Sequence, residues 1–215
     1  MSISAVIFDM DGVLIDSAEA HKQSWRVLAG ELHRTVSDEE FIGQFGRPSR
    51  DIIRNLFGAH LPDEVVARYD CHKEEAFRDL VRGRLPVMPG AARLVQALDE
   101  AGFALAVGSS GPPENVSLCL EDPAFEGRFD AVVTGMDVEF GKPDPQVFLL
   151  AAEHLGAEPS ACVVVEDAPA GIEAANRAGM KSIALTSTHR AETLGRTDWI
   201  VSALSEITPD LIRRL

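Results

Sequence analysis

The sequence is poor in aromatic and basic side chains and has no long apolar run. Only 6% of its 215 residues are aromatic, so the stacking platforms that bind single-stranded nucleic acid are scarce. Acidic residues outnumber basic residues by 34 to 20, and the formal net charge is -14. Such a chain is repelled by nucleic-acid phosphates and anionic membrane surfaces, because binding them requires clustered lysine and arginine. We therefore expect neither nucleic acid nor membrane as a partner.

Further absences favour a cytoplasmic protein. No apolar segment approaches the roughly 20 residues needed to cross a bilayer. The first residues, MSISAVIFDMDGVLID, contain no basic leader and reach Asp9 before the apolar core of a signal peptide could form. The six histidines include no HExxH pattern, which argues against a zinc site. No CxxC pair occurs, so we expect buried or unreactive thiols in a reducing compartment at Cys71, Cys119 and Cys162.

The composition and hydrophobic pattern are typical of a globular α/β enzyme, with 46% hydrophobic and 25% charged residues. Short apolar runs that each end at a polar or glycine-rich turn predict strands buried on both faces, at 4–8, 104–108, 162–166 and 181–185. Helical patterns alternate with them, at 90–101, 112–120, 145–155 and 168–178. This alternation predicts a doubly wound, Rossmann-like α/β fold with a parallel sheet.

One long segment near the N-terminus contains only helical patterns. They cover 18–31, 38–45, 51–57 and 62–81. We therefore predict an all-helical cap domain at 17–85, inserted into a core domain formed by 1–16 and 86–215. The hinges are expected near 15–17 and 84–88. A single continuous globule without a movable part is the alternative.

Two aspartates directly follow the first predicted strand. Asp9 and Asp11 are separated by one residue in the segment DMDGV, where Gly12 lets the backbone turn sharply. Ligands bind beyond the carboxyl ends of strands in open α/β sheets. Two unpaired buried carboxylates would repel each other by about 4 kcal/mol at 4 Å with an effective dielectric near 20, so they cannot both face the core. Taken alone, the motif is also compatible with a solvated turn.

Other polar side chains fall at predicted strand ends or helix starts. Ser109 follows the second strand, where a hydroxyl and nearby backbone N–H groups suit a phosphate oxygen. Lys142 lies in the segment GKPDP just before a helix, and the prolines fix its approach. Glu166 and Asp167 end another strand as a second carboxylate pair. Together these groups predict a chemical site at one edge of the sheet.

These four segments resemble, in order and spacing, the four motifs of the haloacid dehalogenase superfamily of phosphohydrolases. The resemblance covers essentially the whole chain, including the helical insertion. The segments FDMDGVLIDSAEAHKQSW, GKPDPQVF and VVEDAPAGIEAANRAG look like the branch that contains β-phosphoglucomutase and small phosphosugar phosphatases. The resemblance implies that Asp9 is a nucleophile that forms an aspartyl-phosphate, and that Asp11 is the general acid and then the general base.

The same resemblance implies a Mg²⁺ cofactor and a phosphoryl site. Its ligands would be a carboxylate oxygen of Asp9, the backbone carbonyl of Asp11 and the carboxylate of Asp167, with Glu166 behind them or bound through water. Ser109 and Lys142 would contact the transferring phosphoryl group, and Ser110 is a further candidate for binding the substrate. Dehalogenases lack a counterpart of Asp11, and phosphonatases use a cap lysine as a Schiff base, so neither activity is expected.

The predicted cap supplies candidates for substrate selection. The resemblance places His21 at the hinge and Arg50 at the distal group of the substrate, and Arg47 lies in the segment that looks like the specificity loop. A surface histidine and a solvated arginine are the alternatives. Trp25 is expected in the core of the cap. The partner is expected to be a small phosphorylated metabolite, and the protein a monomer or weak dimer.

Departures from the mutase pattern favour hydrolysis over phosphoryl transfer to a sugar. Gly46 stands where the mutase has a loop lysine, and the stretch 111–113 replaces a lysine and an asparagine near the sugar phosphate. We therefore expect a Mg²⁺-dependent phosphatase of small metabolites, with sugar phosphates as the favoured substrates. A phosphosugar mutase is the main alternative. A catalytically idle binding module is a lesser one, since the motif residues are intact.

Overall fold

The computed structural model describes residues 2–37, 39–40 and 49–215. The chain divides into two compact units: Met1–Asp16 together with Leu85–Leu215, and Ser17–Arg84. All the strands that the structure describes belong to the first unit, which we call the α/β unit. The second is built from helices, and we call it the helical unit.

The α/β unit contains a six-stranded parallel sheet in the order β3-β2-β1-β4-β5-β6. The strands are β1 (Ala5–Phe8), β2 (Ala104–Gly108), β3 (Ala131–Val133), β4 (Cys162–Glu166), β5 (Lys181–Leu185) and β6 (Trp199–Val201). β1 is fully buried and lies between β2 and β4, with Ile7 opposite Ala106 on one side and Val164 on the other. The predicted parallel α/β sheet is therefore confirmed.

The sheet has two edge strands that the sequence analysis did not predict. β3 and β6 are three residues long, and both carry exposed apolar side chains, Val132 in β3 and Trp199 and Ile200 in β6. Continuous burial is the signal by which the inner strands were recognised. An edge strand lacks this signal because one of its sides has no neighbouring strand.

The first three helices belong to the helical unit, and the later ones fill the connections between the strands of the α/β unit or follow its last strand. In chain order the helices are α1 (Ala18–Glu31), α2 (Ser49–Phe57), α3 (Asp63–Val81), α4 (Ala91–Glu100), α5 (Pro113–Leu120), α6 (Gln146–His154), α7 (Pro169–Arg177) and α8 (Pro209–Ile212). On one face, Ile7 and Val164 pack with Phe148 of α6 and Ala175 of α7 in a single buried cluster. Among the described residues, no helix has the length and apolar content needed to cross a bilayer.

The helical unit has its own apolar core. Trp25 and Leu28 of α1 pack against Ile53 of α2 and Val66 of α3, and all four side chains are buried. Trp25 is therefore a core residue, as expected. The helix predicted at 38–45 lies almost entirely outside the described residues.

The cysteines differ in their surroundings. Burial raises the pKa of the Cys119 thiol to about 12 and that of Cys162 to about 11, so both are poor nucleophiles at neutral pH. Cys71 is exposed, so for that thiol only the other part of the expectation, an unreactive thiol, stays a prediction.

Replacement of Phe148 tests the packing of α6 on the sheet. Phe148 is fully buried, whereas the next residue, Leu149, is 39% exposed. We expect Phe148→Ala to lower the free energy of unfolding by about 3–5 kcal/mol, because it removes a packed ring and leaves a cavity. Leu149→Ala, the control on the same helix, should cost less than about 1 kcal/mol. Urea unfolding followed by circular dichroism measures both, and equal losses would contradict this packing.

Candidate active site

The candidate site lies where three neighbouring strands end. Asp9 follows β1, Ser109 follows β2, and Asp167 follows β4, whose last residue is Glu166. The chain leaves β1 towards β2 on one side and returns through β4 on the other, so these ends flank the switch point of the sheet. A crevice at the carboxyl ends of the strands is the usual ligand site of this topology.

Lys142 joins two of the carboxylates. Its Nζ donates hydrogen bonds to Oδ1 of Asp9 at 2.5 Å and to Oε1 of Glu166 at 2.9 Å. The lysine side chain is only 8% exposed, and its Nζ lies 4.7 Å from the centre of the Phe148 ring. Buried charges on both sides and an aromatic face beneath fix the position of this ammonium group.

Both carboxylate oxygens of Glu166 accept hydrogen bonds. Oε1 accepts from Lys142, and Oε2 accepts from the backbone N–H groups of Asp167 at 2.7 Å and Ala168 at 2.6 Å. A Cβ atom at Gly171 would lie 1.7 Å from Oε1 of Glu166. Only glycine therefore fits where α7 passes this side chain.

Asp167 is held by the segment that follows β5. Its Oδ2 accepts a hydrogen bond from the hydroxyl of Thr188, and the Ser187 hydroxyl lies 3.4 Å from the same oxygen. Gly12 adopts a φ of +84°, and a Cβ atom there would lie 2.1 Å from Oδ2 of Asp167. Ser187 and Thr188 were not predicted as site residues, although the polar run directly after the strand predicted at 181–185 is a usable signal.

The carboxylates are crowded enough to bind a cation. One oxygen from each of Asp9, Glu166 and Asp167 lies within 4.8 Å of the others. Burial raises the pKa of Asp9 well above its usual range, despite the opposing charge of Lys142. Burial and the charge of Glu166 raise the pKa of Asp167 to about 7. One lysine brings a single positive charge to three buried carboxylates, so a divalent cation with oxygen ligands fits this group.

The lysine itself stays charged. Burial would favour its neutral form, but the carboxylates of Asp9 and Glu166 outweigh this and raise the pKa of Lys142. The group is therefore an ammonium ion over the whole physiological pH range, and it can stabilise an anion at this edge of the sheet.

A hydroxyl and a carboxylate share the space beside this cluster. Ser109 is buried, and its Oγ accepts the backbone N–H of Gly111 at 3.0 Å. A Cβ atom at Gly111 would lie 3.3 Å from Oγ of Ser109 and 3.9 Å from Oδ2 of Asp11, so both polar groups border one space. Asp11 is partly exposed, and Ser110 is exposed.

His21 belongs to the helical unit, where a buried lysine holds it. Its ring stacks on Phe77 with the ring centres 4.1 Å apart, and Nζ of Lys73 lies 2.9 Å from its Nδ1. Lys73 also donates to Glu74 at 2.7 Å and is only 3% exposed. An ammonium group can only donate, so Nδ1 of His21 accepts and the ring proton lies on Nε2.

The remaining predicted residues are placed differently. Arg50 is an exposed residue of α2, and its charge acts on Asp70 within the helical unit. Arg47 lies outside the described residues. Within the α/β unit, the structure thus brings together six of the predicted side chains: Asp9, Asp11, Ser109, Lys142, Glu166 and Asp167.

Comparison with known proteins identifies the family of the chain. The family model of haloacid dehalogenase-like hydrolases matches residues 3–179. The chain is 34% identical to validoxylamine A 7'-phosphate phosphatase of Streptomyces hygroscopicus subsp. limoneus, over 94% of each chain. It is 29% identical to β-phosphoglucomutase of Bacillus subtilis (strain 168), over 98% of this chain and 94% of that relative.

A solved structure agrees with these relatives. The crystal structure of a HAD hydrolase of family IA, variant 3, from Entamoeba histolytica superposes with a TM-score of 0.91 at 26% identity. The match covers 99% of this chain and 98% of that one. The family model spans most of the chain, from before Asp9 to beyond Asp167. The chain therefore belongs to the haloacid dehalogenase-like hydrolases, and its relatives include the β-phosphoglucomutase branch.

Proposed function

We propose that the protein hydrolyses phosphate monoesters of small metabolites, with Asp9 as the nucleophile and Mg²⁺ as the cofactor. The observation that carries this proposal is the convergence of Asp9, Lys142 and Asp167 at the carboxyl edge of the sheet. A phosphate monoester dianion resists attack, so its hydrolysis needs a positioned nucleophile and neutralised charge. This group of side chains can supply both.

Asp9 and Asp11 divide the chemistry into two steps. In the first, a carboxylate oxygen of Asp9 attacks phosphorus, the bond to the ester oxygen breaks, and Asp11 gives that oxygen its proton. In the second, the Asp11 carboxylate takes a proton from water, which attacks the aspartyl-phosphate. Inorganic phosphate leaves and Asp9 is regenerated. The partly exposed position of Asp11 supports this role, because it must meet both substrate and water.

Lys142 and Ser109 bind the transferring phosphoryl group. Lys142 faces the nucleophile directly, so its charge also offsets the growing negative charge of the transition state. The Ser109 oxygen already accepts the N–H of Gly111, which leaves the hydroxyl proton for a phosphoryl oxygen. Ser110, next to it and exposed, is a further contact for the substrate.

Mg²⁺ suits the carboxylates of this site. Asp9 and Asp167 would hold it with their carboxylates and Asp11 with its backbone carbonyl, whereas Glu166 already uses both oxygens for Lys142 and backbone N–H groups. When bound, the cation neutralises phosphoryl charge and orients the phosphate for in-line attack. The role of Glu166 is to hold Lys142 in place.

Sugar phosphates are the proposed substrates. The relative from Bacillus subtilis is a phosphoglucomutase by name, and the relative from Streptomyces is a phosphatase. We assign substrate selection to the helical unit, through His21, Arg50 and Arg47.

A phosphosugar mutase is the second candidate, favoured by the similarity to β-phosphoglucomutase over nearly the whole chain. Supplying β-glucose 1-phosphate with a trace of the 1,6-bisphosphate separates the two functions. We expect free phosphate to accumulate, since the segment 111–113 lacks the lysine and asparagine of the mutase pattern. Glucose 6-phosphate as the main product would instead establish the mutase.

Replacement of Asp9 tests the nucleophile. We expect Asp9→Asn to lower turnover of p-nitrophenyl phosphate with Mg²⁺ by at least about 10³-fold, because the amide cannot form the acyl phosphate. Asp210→Asn, which changes an exposed carboxylate paired with Arg213, is the control and should turn over normally. EDTA should stop the wild-type reaction. Unchanged turnover of Asp9→Asn would refute the assignment.

Replacement of Gly171 tests whether Glu166 fixes the position of Lys142. Alanine there would displace the Glu166 side chain, so we expect Gly171→Ala to reduce phosphate release and to cost about 1–3 kcal/mol of stability. Gly30→Ala meets no atom within 4 Å in α1, and should keep full activity and gain up to about 1 kcal/mol. Phosphate release and urea unfolding measure both variants. Wild-type behaviour of Gly171→Ala would contradict the close packing.

A further inference from the structure

The segment that follows β5 contacts both aspartate-bearing loops through Ser187, Thr188 and His189. The Ser187 hydroxyl donates to the backbone carbonyl of Gly12 at 2.6 Å. The Thr188 hydroxyl donates to Oδ2 of Asp167, and Nδ1 of His189 lies 3.2 Å from the backbone carbonyl of Asp167. A fourth strand, β5, therefore supports the loops that follow β1 and β4.

Counting donors and acceptors fixes the direction of these hydrogen bonds. The backbone carbonyl of Asp167 can only accept, so Nδ1 of His189 carries the ring proton. Thr188 has one hydroxyl hydrogen, and Oδ2 of Asp167 is its nearest acceptor. The lone pairs of the Thr188 oxygen then face Nδ1 of His189 at 2.9 Å. The hydrogen bonds run from His189 through Thr188 to the carboxylate.

We propose that Thr188 is a positioning residue, which fixes the rotation of the Asp167 carboxylate and thereby raises the affinity of the site for a divalent cation. The inference rests on the proposed function, in which Asp167 is a metal ligand. Oδ2 is used by Thr188, so the carboxylate meets the cation with a defined orientation. Losing a hydrogen bond that orients a metal ligand typically weakens metal affinity by about 10- to 100-fold.

The position of Thr188 makes the hydroxyl separable from packing. The residue is exposed, so its methyl group contributes little to the core. Valine retains the shape and removes only the hydroxyl, whereas serine retains the hydroxyl. Thr193 provides the matched control, because its hydroxyl donates to the carbonyl of Arg190 in the same segment, away from the aspartates.

The test measures Mn²⁺ binding to the full chain without substrate, from the electron paramagnetic resonance signal of free Mn²⁺. We expect Thr188→Val to raise the Kd by about 10- to 100-fold. Thr188→Ser and Thr193→Val should bind like the wild type. The thermal unfolding midpoints of cation-free Thr188→Ser and Thr193→Val should agree with that of the wild type, because the side chains are exposed.

Each other outcome overturns a distinct statement. A wild-type Kd for Thr188→Val refutes the positioning role and leaves the proposed cation site intact. Equal weakening in Thr188→Ser shows that the hydroxyl is not the determinant, and a lower unfolding midpoint for Thr188→Ser assigns the residue to packing. Absence of Mn²⁺ binding by the wild type refutes the cation site itself, and with it both proposals.

Discussion

The arrangement of the site depends on one electrostatic problem, the crowding of buried carboxylates at the end of a hydrophobic sheet. Asp9, Glu166 and Asp167 approach within 4.8 Å, and burial raises the pKa of Asp9 and that of Asp167. Lys142 offsets part of this charge through two short contacts. Removing one partner from such a buried network typically costs about 3–5 kcal/mol, so each member constrains the others. The negative charge that Lys142 does not offset is the driving force for binding a cation.

The parallel sheet makes this crowding possible. β1 and β4 pair in register, so the residues that follow them emerge side by side, and β2 brings Ser109 to the same edge. Two glycines then allow close approach: Gly12 lets the first loop pass Asp167, and Gly171 lets α7 pass Glu166. The fold therefore brings the carboxylates together, and the two glycines, which have no side chain, leave room for their close approach.

Much of the fold and of the candidate site could be predicted from the sequence, for reasons that differ from one part of the structure to another. The inner strands are continuously apolar and end in polar residues, so the sequence marks the strands and their chemical ends, as at Asp9 and Asp167. β3 and β6 were not predicted because edge strands lack that pattern. Thr188 was not predicted because its neutral side chain looks like that of any solvent-exposed threonine until its hydrogen-bond partner is known. The contact of Lys73 with His21 joins residues 52 apart and likewise has no local signal.

The central claim is that Asp9 attacks phosphorus while Lys142 and a cation neutralise the phosphate. Its most direct test is acid quenching during turnover with Mg²⁺, followed by borohydride reduction and mass spectrometry of the peptides. An acyl phosphate is reduced by this treatment to the corresponding alcohol. The account predicts homoserine at position 9, formed only when substrate is present. A phosphoryl group attached to any other side chain would contradict it.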